Sequence, residues 1–520
     1  MNYKTLKRLR VAVAIVCAVT TFLVFNDIYE WLSLSQIKAV VYLQFVPSLL
    51  KFIQVASWGT AGAFVVLLLT ALFGRIYCSA ICPLGILQDL FAYIARKRSR
   101  KKMFFKSKKE IKWLRYPILG VTMLAAFSGF MVVTSLLDPY SIAGRFFTYL
   151  TKPLVIIGNN AAAGVAAKAN VYSVFKMAVN WPVASVLTAT AATLLAVAYL
   201  SYKRGRLYCN TICPVGTLLG LLAKASIFKI KIDQAKCSKC AKCVSVCKSE
   251  CIDLKAHAVD QSRCVTCFNC TAICPDKAIG FTSVKPSGQK PQLAHNKGRR
   301  DALATFVVLL ASIRMLKGNN RPQMVDGKKL VPENKKNPVS PPGSKTISRF
   351  NRICTGCGLC ISQCPTQVLR PAYREYGLAG FMQPHMDYSV GECNFNCTRC
   401  GDVCPTGAIL PHTKEEKQVL QIGKVVFVKE NCVVYTDETD CGACSEHCPT
   451  KAVDMISYKG NLMIPHISQD ICIGCGSCEH PCPLPPGVKA IYVDGNAVHQ
   501  QARKPQEEKA VQKVEEDFPF

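Results

Sequence analysis

The sequence predicts two architectures in one chain. The first is an α-helical membrane domain of about four to five spans, built as a tandem repeat. The second is a set of small α+β modules threaded with closely spaced cysteines. Three observations carry this reading. Long uncharged stretches occupy the first 200 residues. The stretch GRIYCSAICPLGILQDLFA (74–92) returns at 205–223 as GRLYCNTICPVGTLLGLLA, identical at 11 of 19 positions. The 520 residues include 30 cysteines, most of them in C-x-x-C-x-x-C-x-x-x-C runs beyond residue 236. A chain of this length exceeds one ordinary domain.

The uncharged stretches run over 11–26, 52–74, 116–137 and 177–202. The last three suffice for a hydrocarbon core of about 30 Å, which takes roughly 20 residues. The first follows LKRLR; no small-residue cleavage site is clear and another span follows, which argues against a cleaved signal peptide. Lysine and arginine gather at the N-terminus, at 96–115 and at 202–206, whereas 27–51 and 138–176 carry scattered charge. Basic loops stay inside, so the N-terminus and both repeated motifs are expected on the cytoplasmic face of an inner, multi-pass membrane protein. The segment 35–52 reads as an interfacial or packed loop. The net charge of +31 is accounted for by such loops and implies no nucleic-acid partner.

Each repeated motif follows the second helix of a two-helix unit on the same face, the pattern of a parallel repeat. An axis along the membrane normal would bring Cys78, Cys82, Cys209 and Cys213 together. Pro83 and Pro214 suit a helix's first turn, which sets Cys82 and Cys213 at amide-rich helix starts that favour thiolate. The four thiols fit a metal or iron–sulfur site; a redox-active dithiol pair and inert packing are the other readings. All eight histidines lie at or beyond His257, so residues 1–230 offer no bis-histidine haem site.

The cysteine runs follow. A disulfide scaffold belongs to short secreted chains, and structural zinc usually pairs two C-x-x-C knuckles. A third close cysteine and a trailing C-P point to iron–sulfur clusters and to bacterial-type 2[4Fe-4S] ferredoxin modules, in which the fourth cysteine of each run crosses to the other cluster. In residues 231–290 this assigns Cys237, Cys240, Cys243 and Cys274 to one cluster and Cys264, Cys267, Cys270 and Cys247 to the other. In residues 346–495 it assigns Cys354, Cys357, Cys360 and Cys404, then Cys393, Cys397, Cys400 and Cys364. Two further sets are Cys432, Cys441, Cys444 and Cys482, and Cys472, Cys475, Cys478 and Cys448. Six clusters use 24 cysteines, and the membrane motifs offer a seventh site. Three spacings depart from the pattern: Lys248 replaces the proline after Cys247, and C-x3-C and C-x8-C occur at 393–397 and 432–441. Cys17 reads as packing and Cys251 as a bystander, while His447 and His480 read as surface loop residues.

Between the two groups lies 291–345. Arg299 and Arg300 precede 12 uncharged residues, 302–313, short for a span and closer to a twin-arginine-type export segment. A crossing there would put 346–495 in the periplasm; a buried or interfacial helix would leave everything cytoplasmic. A linker rich in proline, lysine and asparagine follows, and 496–520 reads as a disordered tail.

With GRIYCSAICP and GRLYCNTICP ahead of a two-cluster ferredoxin, the first half resembles the NapH-type membrane ferredoxins, a group that includes the core of NosR and MauN proteins. Residues 347–495, with the C-x8-C spacing at Cys432–Cys441, resemble the NapG and MauM polyferredoxins. The resemblance implies electron transfer from quinol towards a periplasmic reductase, with both partners fused here. The chain therefore reads as a membrane-bound electron carrier between the quinone pool, or a cytoplasmic donor, and a redox partner protein. Its sequence shows no P-loop, catalytic triad or dinucleotide fingerprint, so it reads as a wire rather than a stand-alone enzyme. The alternative is metallocentre assembly or metal reduction, since proteins of the RdxA and CcoG kind share C-x-x-x-C-P motifs and ferredoxin runs.

Overall fold

A computed structural model describes residues 3–98, 105, 110–283, 324–325, 328–329 and 336–504. The chain divides into two units. Unit 1 comprises Met1–Val325 with the short segments Ile353–Gly358 and Pro405–Gly407; unit 2 comprises Asp326–Arg352, Leu359–Cys404 and Ala408–Phe520. The Arg299–Arg300 pair and the apolar segment after it lie outside the described residues.

Unit 1 begins with α1 (Tyr3–Asn26), α2 (Leu34–Tyr42), α3 (Phe45–Gln54) and α4 (Gly62–Phe73). The first motif forms α5 (Ile76–Ala80) and α6 (Pro83–Arg98). Next come α7 (Lys112–Phe127), α8 (Met131–Leu137), α9 (Pro139–Phe146), α10 (Lys152–Lys168) and α11 (Ala184–Arg204). The second motif forms α12 (Leu207–Thr211) and α13 (Pro214–Ala223). Among the described residues, α1 and α11 are long and apolar enough to cross a membrane, and α2 with α3, bent by 105°, would make a third. Two expected spans are broken instead. The 52–74 stretch is interrupted where Ser57 and Thr60 form a capping box around a short helical turn. The 116–137 stretch stops at Ser128–Phe130, where Gly129 takes φ +78°. The 35–52 segment, expected as a loop, is the bent pair itself. A single residue, Asp138, separates α8 from α9: it accepts from the Ser141 amide at 2.8 Å and so caps α9, which is buried over most of its length.

The same unit carries a small α+β module. Strand β1 (Phe228–Ile232) pairs antiparallel with Ile279–Ser283, with Phe228 opposite Ser283. An aromatic ladder ties the module to α4: Phe73 stacks on Phe228 and Phe228 on Phe281, each at 5.6 Å, and Phe268 meets Phe281 edge-on at 5.3 Å. Such pairs contribute about 0.5–1.5 kcal/mol each beyond the area they bury. The Phe281 amide also donates to the Tyr3 hydroxyl of α1.

Unit 2 is built on three antiparallel ribbons among its described residues: Leu369–Pro371 with Pro384–Met386, Val453–Lys459 with Leu462–Ile467, and Leu420–Phe427 with Ile491–Gln501. The last strand runs to Gln501, beyond the expected start of the tail at 496, because the Gly495 amide bonds Asn337 and the His499 amide bonds Lys345. Residues 336–345, expected as free linker, are therefore part of the folded unit. The Val453–Lys459 strand begins five residues after Cys448, whereas the helix Lys414–Gln418 precedes the first strand after Cys404, Leu420–Phe427.

Candidate cluster sites and the paired thiol motifs

The cysteine loops share one winding. In Cys237-x-x-Cys240-x-x-Cys243 the residues flanking the middle cysteine, Lys239 and Ala241, have φ +55° and +58°. Thr266 and Phe268 repeat this around Cys267, as do Gly356 and Gly358 around Cys357 and Gly474 and Gly476 around Cys475. Left-handed backbone costs roughly 1–2 kcal/mol for a residue with a Cβ, which glycine avoids. The two runs with inserted spacing lack the left-handed pair: Thr398 sits at φ −111° and Gly442 at −117°. A second mark follows the fourth cysteine, where Lys277, Gln367, Gly407 and Lys451 have positive φ three residues on. Glu250 does the same after Cys247, so Lys248 in place of proline leaves that turn intact.

The loops bring thiols together around hollows. Cys237, Cys240, Cys243 and Cys274 line one. Cys432, Cys441, Cys444 and Cys482 line another, apolar one. Cys270 lies within electrostatic reach of Cys267, Cys264 and Cys247. Cys400 faces Cys393, Cys364 and Cys397, and Cys478 faces Cys475, Cys472 and Cys448. Cys354 and Cys357 fall in unit 1, Cys360 and Cys404 in unit 2. Among the described residues, no three histidine, cysteine or carboxylate side chains converge tightly enough for a single ion. Thiols that ring a hollow suit a multi-iron cluster better than one tetrahedral zinc. No disulfide joins any of the thirty cysteines. Within unit 2 the loops touch, since the Cys393 amide donates to the Cys475 carbonyl at 2.9 Å. His447 is exposed, its ring nitrogen 2.9 Å from the Ala443 carbonyl, and His480 is partly exposed. Cys17, half-buried in α1, stands apart from all of these sets.

Cys251 is not remote from the cluster shell. Its Sγ lies 3.6 Å from Cys247 Sγ, and Cys264 is within electrostatic reach.

The repeated motifs also meet. Cys209 and Cys213 lie within electrostatic reach of each other, Cys78 and Cys82 both lie within reach of Cys209, and Cys82 lies within reach of Cys213. All four are buried. Cys213 caps α13 by accepting from the Gly216 amide at 3.3 Å, and Cys82 holds the equivalent position directly ahead of Pro83 at the start of α6. The arginine of each motif reaches into the other. Arg75 Nη2 donates to the Cys209 carbonyl at 3.0 Å, and Arg206 Nη1 donates to the Cys78 carbonyl. Gln88 Nε2 donates to Cys209 Sγ at 3.2 Å, whereas its counterpart in the second repeat is Leu219. Arg75 Nε, Arg206 Nη2 and Gln88 Oε1 are buried and have no hydrogen-bond partner among the described residues. Two unanswered guanidinium donors beside four thiols fit an anionic group held between the motifs.

The same arginines grip the α+β module. Arg75 and Arg115 both donate to the Ser262 carbonyl at 3.0 Å, just ahead of Cys264. Thr266 donates to the Phe73 carbonyl at 3.0 Å. On the other side the Arg206 amide donates to the Lys248 carbonyl at 2.8 Å, and Asn210 to the Ser249 carbonyl at 3.3 Å. Asp89 joins the pieces: it pairs with Arg206 at 2.7 Å, with Lys248, and with Arg10 of α1 at 3.6 Å. Burial alone would lift the Asp89 carboxyl, but Arg206 and Lys248 outweigh it and hold it at about 2. The sequence assigns no role to Arg75, Arg206 or Asp89, and marks Lys248 only as a departure from proline. Two of them were visible, since Gly-Arg opens both copies of the repeat.

Comparison with known proteins agrees with this chemistry. A family described as "4Fe-4S binding domain" matches twice, at residues 56–102 and 186–233, each match holding one C-x-x-x-C-P motif. A family described as "4Fe-4S dicluster domain" matches 353–408. The chain is 34% identical over 160 residues to the methylamine utilization ferredoxin-type protein MauM of Methylophilus methylotrophus, covering 28% of this chain and 66% of that protein. It is 28% identical over 149 residues to the ferredoxin-type protein NapF of Escherichia coli K12, covering 28% and 82%. It is 30% identical over 168 residues to the ferredoxin-type protein NapG of the same strain, covering 29% and 70%. No solved structure matches the chain.

Proposed function

Because this chain belongs to the family of ferredoxin-type proteins that includes MauM and NapG, we propose that it is a membrane-bound relay of electrons between the quinone pool, or a cytoplasmic donor, and a redox partner protein. The 24 cysteines of the runs hold six [4Fe-4S] clusters, each fourth ligand crossing as assigned from the spacing. Cys78, Cys82, Cys209 and Cys213 hold a seventh metal or cluster site. The bound clusters supply one-electron transfer without substrate chemistry; the protein supplies the order and spacing of the sites.

The observation that carries the proposal is the double grip of the repeat on the first ferredoxin. Gly74–Arg75 holds the loop of Cys264 and Gly205–Arg206 holds the loop of Cys247. Both cysteines belong to the same set, so that cluster lies against the four-thiol site. The other cluster of the module faces outward, with Cys240 exposed, and is the point of exchange with a soluble partner. Membrane residence is supported by α1 and α11. Trp31 and Trp58, 84% and 92% exposed on the loops after α1 and α3, are suited to a headgroup belt. In this reading the N-terminus and first ferredoxin are cytoplasmic, α1 and α11, with the bent α2–α3 pair as a third candidate, cross the inner membrane, and residues 346–495 are periplasmic.

The test is anaerobic purification of the full chain in detergent, with iron and sulfide counted and each cluster titrated by EPR. About 24 irons, or about 28 with a seventh cluster, and reduction by a quinol analogue or by low-potential donor are the expected results. An iron-poor protein that binds copper and leaves quinol unoxidised would replace the relay by metallocentre assembly.

A further inference from the structure

The first ferredoxin holds five thiols where its inner cluster needs four. Cys251 is 3% exposed, and its Sγ is 3.6 Å from that of Cys247. Cys264 lies within electrostatic reach of it as well, so it stands near two members of one set. The position four residues past the fourth cysteine is normally a small core site. After Cys274, Cys364, Cys404 and Cys448 it holds Ala278, Val368, Ala408 and Ala452, all buried. Only after Cys247 does that site carry a sulfur. Ligand thiols around a hollow stand apart from one another, so two sulfurs this close serve one corner, not two.

Resting on the iron–sulfur reading above, we infer that Cys247 and Cys251 are interchangeable ligands for one corner of the cluster framed by Cys264, Cys267 and Cys270. In the exchange Cys251 gives up its proton and bonds iron as the Cys247 bond breaks, and Cys247 takes the proton. No electron moves and no further reagent enters. The loop between the two thiols is the one gripped by the second repeat: Lys248 bonds Asp89 and Arg206, and Ser249 bonds Asn210. Exchange at this corner therefore shifts the segment that seats the cluster against the four-thiol site.

The experiment uses the full chain purified anaerobically, as wild type, Cys247→Ala, Cys251→Ala and the double variant. Iron content and the EPR signals of the two ferredoxin clusters are read, with the Cys237-based cluster as the internal record of folding. The inference expects either single variant to keep wild-type iron and the double variant to lose about four irons per chain. It is overturned if Cys247→Ala alone loses the inner signal while the Cys237-based signal persists. It is overturned equally if the double variant keeps that signal. Should Cys247→Ala lose both signals, Cys251→Ala decides: two overlapping inner-cluster populations collapsing to one supports exchange, and an unchanged spectrum ends it. A wild type without iron–sulfur signals would instead sink the underlying reading.

Discussion

Arg75 crosses from the first repeat to donate to the main-chain oxygen of Cys209, 3.0 Å away, while the equivalent Arg206 donates to that of Cys78. Each motif is thus closed by a residue of the other, and neither loop is complete alone. The crossing also explains a buried charge. Arg206 is fully buried and relies on Asp89. Removing one partner of a buried pair costs about 3–5 kcal/mol. Arg206→Met should therefore destabilise unit 1 by about that much and loosen the ferredoxin. Arg206→Lys keeps a cation but loses the fork that serves two acceptors, and should fall between. Hydrogen exchange over 245–251 measures this; unchanged protection in Arg206→Met would contradict the clamp. Asp89 adds an acid limit. Its carboxyl is lowered from 3.8 to about 2 in the fold, so its contribution, about 2 kcal/mol, is complete above pH 4. It drains away as pH falls towards 2.

Gly85 and Gly216 make the symmetry testable by size. A Cβ on Gly85 would lie 2.3 Å from the Cys78 carbonyl oxygen and 2.8 Å from Arg206, and one on Gly216 2.2 Å from the Cys209 carbonyl oxygen and 2.8 Å from Arg75. Those neighbours are backbone or pinned guanidinium, so neither site can yield. Gly85→Ala and Gly216→Ala should each reduce stability by roughly 1–3 kcal/mol and expel whatever the four thiols hold. Gly158→Ala and Gly164→Ala, with nothing within 4 Å, should leave the melting temperature and metal content unchanged.

How much of this was legible follows from what each feature depends on. The cysteine loops are local, so spacing alone placed Cys237, Cys240, Cys243 and Cys274 around one hollow. The repeat was legible because eleven identities survive at a fixed offset. The crosswise arginines were not, because their partners are main-chain oxygens 134 and 128 residues away, which leave no residue-type signal. The broken helices at 52–74 and 116–137 were missed for a related reason. Hydropathy does not register a capping box at Ser57 or a left-handed Gly129. Cys251 was legible as a spare thiol that could compete with Cys247, but only the fold shows that its sulfur lies 3.6 Å from that of Cys247.

His499 sets an acid limit on unit 2. It lies on the strand Ile491–Gln501 with Nε2 2.8 Å from Ser340 Oγ. Burial pulls it down to about 4 from 6.5. Between those values the unfolded chain takes a proton that the folded one resists, so stability falls as pH drops from 6.5 towards 4. The loss approaches about 3 kcal/mol at the fully protonated limit. Hydrogen exchange across this strand, corrected for intrinsic rate, should accelerate between pH 7 and 4.5 in the wild type. His499→Gln should flatten that dependence, and a slope unchanged by the substitution would assign it elsewhere.

The four thiols of the repeat are the last and sharpest case. A shared site and two separate dithiols differ in how losses combine. Cys209 lies within reach of Cys213, Cys78 and Cys82, so a group bound there draws on both repeats. Cys78→Ala should then abolish the metal or cluster signal of this site, and Cys213→Ala should abolish the same signal. The double variant should be no worse than either single, because residues acting as one unit are not additive. Arg75→Lys should weaken the signal without removing a ligand, since it disturbs the Cys209 loop from the opposite repeat. Losses that simply add, with thiol reactivity surviving at Cys209 and Cys213 when Cys78 is gone, would mean two independent dithiols. Duplication would then serve two thiol switches, and the arginines would be structural clasps between them.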